Sequence, residues 1–112
     1  MRLPYHDKCV VSQRKIVEYL LSDKHPVGRS KARIFRKLGY SPEDWNRCAT
    51  DLKAVAERNE VTKKEESPFG TRYVIDGNLK TAEGRDFPVR TVWFIDNESQ
   101  IPHFITAYPK KG

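Results

Sequence analysis

The sequence predicts an α+β fold in which three N-terminal helices precede an antiparallel sheet of three to four strands. Apolar residues recur with a helical period as far as about Arg58, and with a period of two from about residue 60 onward. Short turns separate the strand-like runs, which favours an antiparallel meander. We expect a single domain over residues 1–112, with an irregular lead-in over 1–11, a helical part over 12–58 and the sheet over 60–109.

The first helix is expected to begin after Ser12, whose hydroxyl is suited to an N-cap, and to continue to about Leu21. Its apolar residues at helical spacing are Ile16, Val17, Leu20 and Leu21. One apolar stripe of this kind predicts a helix packed on a core by a single face.

Two further helices are expected, over residues 30–38 and from Ser41 to about Arg58. Gly39 is a suitable stop for the first of them, because glycine adopts the left-handed conformation common after a helix. Ser41 followed by Pro42 and two acids is typical of a helix start.

The strands are expected at residues 61–65, 71–76 with a continuation towards Leu79, 89–95 and 101–109. The first is too charged for the middle of a sheet and is expected at an edge. The third is the most apolar and is expected to be central.

The last strand alternates in side-chain direction. A strict period of two places Phe104, Thr106 and Tyr108 on one face and His103, Ile105 and Ala107 on the other. Two hydroxyls then share a face, which suits either a phosphate-binding floor or an ordinary solvated edge strand.

Composition limits the possible partners. The chain carries 21 Lys and Arg against 15 Asp and Glu, a net charge of +6, which favours a polyanion or an acidic protein partner. No apolar run approaches the roughly 18 residues of a membrane span, and no signal-peptide pattern is present, so a cytoplasmic location is expected. Cys9 and Cys48 lack metal-ligand or redox spacing, which predicts small buried thiols and no metal site.

Three basic residues and a serine cluster where a loop meets the second helix: His25, Arg29, Ser30 and Lys31. Backbone N–H groups at such a junction, together with cations, suit a phosphate. The alternative is a solvated basic helix face, which is the usual meaning of a run of charges.

A second candidate cluster comprises Arg90, Thr91 and Trp93 of the central strand with Thr106 and Tyr108 of its neighbour. Arg90 and Thr91 point to opposite faces, and Trp93 is expected in the core. Any of the three histidines is able to titrate near neutrality and act as acid or base, and no spacing selects one of them.

Several segments together resemble a poorly characterised family of small bacterial domains, found alone and as the toxic C-terminal end of larger toxins. The matching segments are Lys15–Leu21, His25-Pro26-x-Gly28-x-x-Lys31-Ala32-x-x-Phe35, Gly70-Thr71-x-Tyr73-Val74-x-x-Gly77-x-Leu79, Val89–Trp93 and Pro102-x-Phe104-x-Thr106-Ala107-Tyr108-Pro109.

The layout is further similar to the barnase–EndoU–colicin–RelE class of ribonucleases. That resemblance implies a metal-independent endoribonuclease of toxin type, without a cofactor, that cleaves RNA by attack of a 2′-hydroxyl. It implies catalytic roles for His25 or Lys31 as the base, Lys31 and Arg90 as charge-stabilising cations, and Thr106 and Tyr108 as phosphate-positioning groups. The residues expected to bind RNA are Arg29, Arg33, Lys37 and Lys110.

The expected partners are RNA and an acidic antitoxin or immunity protein, with neither a membrane nor a small-molecule cofactor. A non-catalytic basic module that binds RNA or protein in a two-protein system is the alternative. A purely structural accessory domain is a third reading, since fold does not fix function.

Overall fold

A computed structural model describes residues 1–22, 29–81 and 83–110, with the side chains of 29–31 left out of that description. The elements, in chain order, are a 3-10 turn (His6–Lys8), an α-helical turn (Gln13–Lys15), a π-helical segment (Ile16–Leu20), an α-helix (Arg29–Lys37), a 3-10 turn (Pro42–Asp44), an α-helix (Trp45–Arg58), and strands β1 (Val61–Ser67), β2 (Gly70–Lys80), β3 (Asp86–Asp96) and β4 (His103–Pro109). We call residues 13–20 the first helical segment, Arg29–Lys37 the basic helix and Trp45–Arg58 the long helix.

The fold is α+β, but the expectation of three N-terminal helices is wrong, because the first helical segment is not a regular α-helix. Ser12 does cap it, its Oγ accepting from Lys15 N at 3.1 Å. The chain then widens, and Leu21 N donates to Ile16 O at 2.8 Å, five residues back. In an α-helix, side chains five residues apart diverge by about 140°. The wider turn lets Ile16, Leu20 and Leu21 all be buried.

The other helix ends follow the sequence in part. Gly39, with φ 99°, follows the basic helix as expected, and the long helix ends at Arg58. The start of the long helix differs from the prediction: Pro42–Asp44 is a 3-10 turn and Ser41 makes no side-chain capping bond.

The sheet has four antiparallel strands in the order β1-β2-β3-β4. β3 is interior and β1 is an edge strand, as predicted. The register aligns Ile75 of β2 with Thr91 of β3, and Thr91 with Ala107 of β4.

A β-bulge in β4 overturns the predicted face of Phe104. Trp93 lies opposite Phe104, whereas its neighbour Val92 lies opposite Thr106, so Ile105 is the extra residue. Phe104 consequently joins the core, with an exposed fraction of 3%, on the face opposite to Thr106 and Tyr108.

The long helix and the core cover one face of the sheet. At its centre the buried Trp93 donates from Nε1 to Thr91 Oγ1 at 2.8 Å, and Thr91 Oγ1 donates to Ile75 O at 2.8 Å. These two hydrogen bonds satisfy the Trp93 N–H and the Thr91 hydroxyl, and so offset the cost of removing both groups from water. The expectation of Trp93 as a core residue is confirmed.

Both cysteines are free and buried, as expected. Burial raises the pKa of the Cys9 thiol to about 11 and that of Cys48 to about 12. The thiols therefore stay protonated and unreactive near neutral pH. Among the described residues, no helix has the length and apolar character needed to cross a bilayer.

Candidate functional site: a cationic groove on the outer sheet face

The sheet face opposite to the long helix carries a groove with a cavity volume of about 290 Å³. We call it the outer groove; it is lined by Thr62, Lys63, Arg72, Val74, Arg90 and Tyr108. All four strands contribute, because residues on one face of an antiparallel sheet come together across the register. Arg90 of β3 lies directly opposite Tyr108 of β4.

Arg90 is held in place by Asp76, its partner on β2. The guanidinium donates from Nε to Asp76 Oδ1 at 2.8 Å and from Nη2 to Oδ2 at 3.1 Å. Such a two-point contact fixes the plane as well as the position of the guanidinium. Tyr108 is a further hydrogen-bonding partner of Arg90.

Asp76 is shared between two cations, since Lys110 Nζ lies 3.1 Å from its Oδ2. Its side chain is only 13% exposed. The hydrogen bonds from Arg90, and then that from Lys110, hold the pKa of Asp76 below its usual range. In turn, Asp76 raises the pKa of Arg90, so both groups are charged at neutral pH.

The groove has more positive than negative charge. Glu65 lies 2.9 Å from Lys63 and 3.6 Å from Arg72, and Asp76 pairs with Arg90 and Lys110. Four cations thus share two carboxylates, which leaves a positive surface suited to a phosphate chain.

Thr106 lies on the same face of β4 but contacts a different element. Its Oγ1 is 3.2 Å from the hydroxyl of Tyr19 in the first helical segment. Beside Tyr19 is a second cavity of about 500 Å³, lined by Ser12, Arg14, Lys15, Glu18 and Tyr19. Thr106 thus contacts a residue that lines this cavity and shares a strand face with Tyr108, which lines the outer groove.

The structure brings together four of the predicted site residues on one face of the sheet: Arg90, Thr106, Tyr108 and Lys110. Thr91 and Trp93 are buried on the other face and take no part. His25 lies outside the described residues, as do the side chains of Arg29 and Lys31.

Arg33 and Lys37, predicted to bind RNA, are exposed on the basic helix. That helix packs against the first helical segment, and its Arg36 donates two hydrogen bonds to Leu21 O at 3.1 and 2.9 Å. The guanidinium of Arg36 thereby satisfies a carbonyl at the end of the π-helical turn.

Sequence reasoning missed Asp76, Lys63, Arg72 and Tyr19 as members of the site. Asp76 is the most informative omission, because it determines where Arg90 points. A carboxylate directly after the apolar run Tyr73–Ile75 is a signal in the sequence, but the assignment to Arg90 needs the β2–β3 register.

The same fold occurs in another solved structure. A chain of the contact-dependent growth inhibition toxin–immunity protein complex from Klebsiella pneumoniae 342 superposes with a TM-score of 0.70 and 19% sequence identity, covering 96% of this chain and 97% of that chain. The two chains therefore share a fold. Among functionally curated proteins, none matches the sequence. A family model described as a domain of unknown function, DUF6883, matches residues 2–111, and the chain belongs to that family.

Proposed function

We propose that this protein is a toxin-type endoribonuclease that cleaves RNA by attack of a 2′-hydroxyl, without a metal ion. The observation that carries the proposal is the Arg90–Tyr108 pair inside a positively charged groove. The shared fold with a chain of a toxin–immunity protein complex supports the toxin-type assignment.

The chemistry requires stabilisation of negative charge on the reacting phosphate. The 2′-oxygen attacks phosphorus, the 5′-oxygen leaves, and charge builds on the non-bridging oxygens in between. Because Asp76 already fixes the Arg90 guanidinium, this group needs little rearrangement to stabilise the charge on the phosphate oxygens. The Tyr108 hydroxyl beside it is able to hydrogen-bond the same phosphate. Thr106 is assigned a positioning role next to them.

The proton of the 2′-hydroxyl needs a base, for which we retain His25 or Lys31. Asp76 is unsuitable, because its pKa is depressed and both its oxygens already accept hydrogen bonds from cations. The products are a 2′,3′-cyclic phosphate and a 5′-hydroxyl, the leaving oxygen taking a proton from an acid or from water.

An acidic immunity protein is the proposed protein partner, since the groove would attract carboxylates as it attracts phosphates. A second function is a non-catalytic, basic binding module of the same kind of system. The complex in which the shared fold occurs contains an immunity protein as well as a toxin, and the fold alone is compatible with either role.

The test is incubation of purified protein with total RNA in excess chelator, with fragment ends analysed on gels. Discrete fragments with cyclic phosphate ends are expected, and Arg90→Ala should lower the rate by about 100- to 1,000-fold, as for the loss of one charge-stabilising donor. Tyr108→Phe should lower it less. His25→Ala and Lys31→Ala, assayed in parallel, assign the base.

Lys64→Ala is the matched control. Lys64 lies next to Lys63 on β1 and, like it, forms an ion pair with a glutamate two residues later, but its side chain lies on the sheet face opposite to the groove. Cleavage by Arg90→Ala at the rate of the wild type contradicts the assigned site. Intact RNA that is nevertheless bound tightly favours the non-catalytic module.

A further inference from the structure

The cavity beside Tyr19 is a distinct recess from the outer groove. Its volume of about 500 Å³ is within the range of small-ligand sites, and the described residues that line it come from Ser12 and the first helical segment. Strands thus form the outer groove, whereas residues of the first helical segment line this cavity.

A hydrogen bond links a residue of the cavity with the strand face that carries the groove. The Tyr19 hydroxyl is 3.2 Å from Thr106 Oγ1, and Thr106 is two residues from Tyr108 on the same face of β4. Two strand residues span about 7 Å. An RNA chain with one phosphate at Tyr108 would therefore reach Tyr19, at the cavity, with the next nucleotide.

The side chains in the cavity match the parts of a nucleotide. The Tyr19 ring packs partly against the core and is held in orientation, and Lys15 Nζ lies 5.1 Å from its centroid. Within the described part of the chain, Lys15 has no carboxylate at ion-pair distance, whereas Arg14 is paired with Glu18 at 2.8 Å. A base and a cation are alternative occupants of a ring face. A base that stacks on the Tyr19 ring would displace the ammonium of Lys15 from the ring face, and the ammonium would then be free to contact the phosphate of the same nucleotide.

We infer that this cavity binds an unpaired nucleotide next to the scissile phosphate, with its base against Tyr19 and its phosphate at Lys15. The inference rests on the proposed ribonuclease function and narrows the substrate to single-stranded RNA, because only an unpaired base presents a face for stacking on a side chain. Tyr19 also positions Thr106 for the phosphate in the outer groove.

The experiment measures fluorescence anisotropy of a labelled 2′-O-methyl RNA hexamer, which lacks the attacking hydroxyl, both single-stranded and paired with its complement. The wild-type protein should prefer the single strand. Tyr19→Leu should weaken single-strand binding about tenfold and leave duplex binding unchanged. Tyr19→Phe, which keeps the ring, should bind the hexamer as the wild type does. It should cleave RNA with free 2′-hydroxyls more slowly, because Thr106 loses its hydrogen bond to the Tyr19 hydroxyl.

Lys15→Ala provides a second variant at a partly exposed position, and it should weaken single-strand binding severalfold; Lys64→Ala is the control. Circular dichroism establishes that each variant is folded. The inference is overturned if Tyr19→Leu and Lys15→Ala both bind the single strand as tightly as the wild type does. If Arg90→Ala still weakens binding in that case, the proposed function stands without the nucleotide site.

The reverse outcome is also distinct. Loss of the single-strand preference in Tyr19→Leu, in a protein that cleaves no RNA, supports the nucleotide site and overturns the ribonuclease. A wild-type protein that binds neither form of RNA overturns both.

Discussion

Asp76 decides what Arg90 is able to do. An exposed arginine on a sheet samples many rotamers, whereas one that donates two hydrogen bonds to a nearly buried carboxylate points one way. The same carboxylate draws in Lys110 from beyond the end of β4. One acidic residue therefore gathers two cations at one end of the groove.

Replacement of Asp76 by Asn tests this role through pH. The folded chain holds the pKa of Asp76 below that of the unfolded chain, so its contribution to stability is complete above about pH 5 and is lost as the pH falls through the folded pKa. At pH 7 the wild type should be more stable than Asp76→Asn by about 1 kcal/mol, because solvent screens part of the attraction. Urea unfolding between pH 7 and 2.5 should show the two free energies of unfolding converging. A constant difference would contradict the assignment.

Single residues were predictable where hydropathy alone decides the outcome. Trp93 and the two cysteines were correctly expected in the core from their apolar neighbours. Arg90 and Tyr108 were selected by residue type and strand position. Asp76 was not, because its partner lies 14 residues away in sequence and meets it only through the register of β2 and β3.

At the scale of elements, two local irregularities set the geometry of the site. The bulge at Ile105 sends Phe104 into the core and leaves Thr106 and Tyr108 on the outer face. The π-helical turn buries Leu21 beside Ile16 and Leu20. Each adds one residue to the regular repeat of its strand or helix. Assignments from the sequence that assume strict strand or helix periods therefore could not predict them.

The β1–β2 hairpin provides a prediction at this scale. A Cβ on Gly70 would collide with the Ile95 carbonyl oxygen and lie 2.6 Å from Phe94 Cζ, whereas a Cβ on Gly84 would meet nothing within 4 Å. Gly70→Ala should therefore cost about 3 kcal/mol through overpacking. Gly84→Ala should cost about 1 kcal/mol, from its positive φ of 80° alone. Chemical denaturation measures the free energy of unfolding of both variants and checks that Gly70→Ala loses more. Equal losses would show that the backbone around Gly70 shifts to make room for the added methyl group.

For the whole molecule, the excess of positive charge and its concentration in the outer groove are the features that bear on partners. A net charge of +6 is spread over the chain, but three cations line the groove and, with Lys110 beside it, four cations share two carboxylates. Long-range attraction then steers a polyanion towards that face before any contact forms.

The salt dependence of RNA binding measures how many of these cations meet phosphates. If four do, the logarithm of single-strand affinity should fall with the logarithm of salt concentration with a slope of about −3. Lys63→Ala should reduce the slope to about −2, because one phosphate contact is lost.

Lys64→Ala is the matched comparison for the salt slope. Lys63 and Lys64 are adjacent on β1, each is paired with a carboxylate two residues later, and they face opposite sides of the sheet. Lys64→Ala should leave the slope unchanged. Equal changes in the two variants would mean that RNA responds to net charge and not to the groove.

The pairing of Val10 with β4 has a consequence for the order of folding. Val10 N donates to Pro102 O and Val10 O accepts from Phe104 N, so a segment that precedes both α-helices pairs with the strand that follows them at the far end of the fold. Tyr108 of β4 lines the outer groove, and Lys110 just after it pairs with Asp76. A chain in which β4 has not yet paired therefore lacks both this edge contact and the complete groove, so the cationic surface is finished only when segments far apart in the sequence have met.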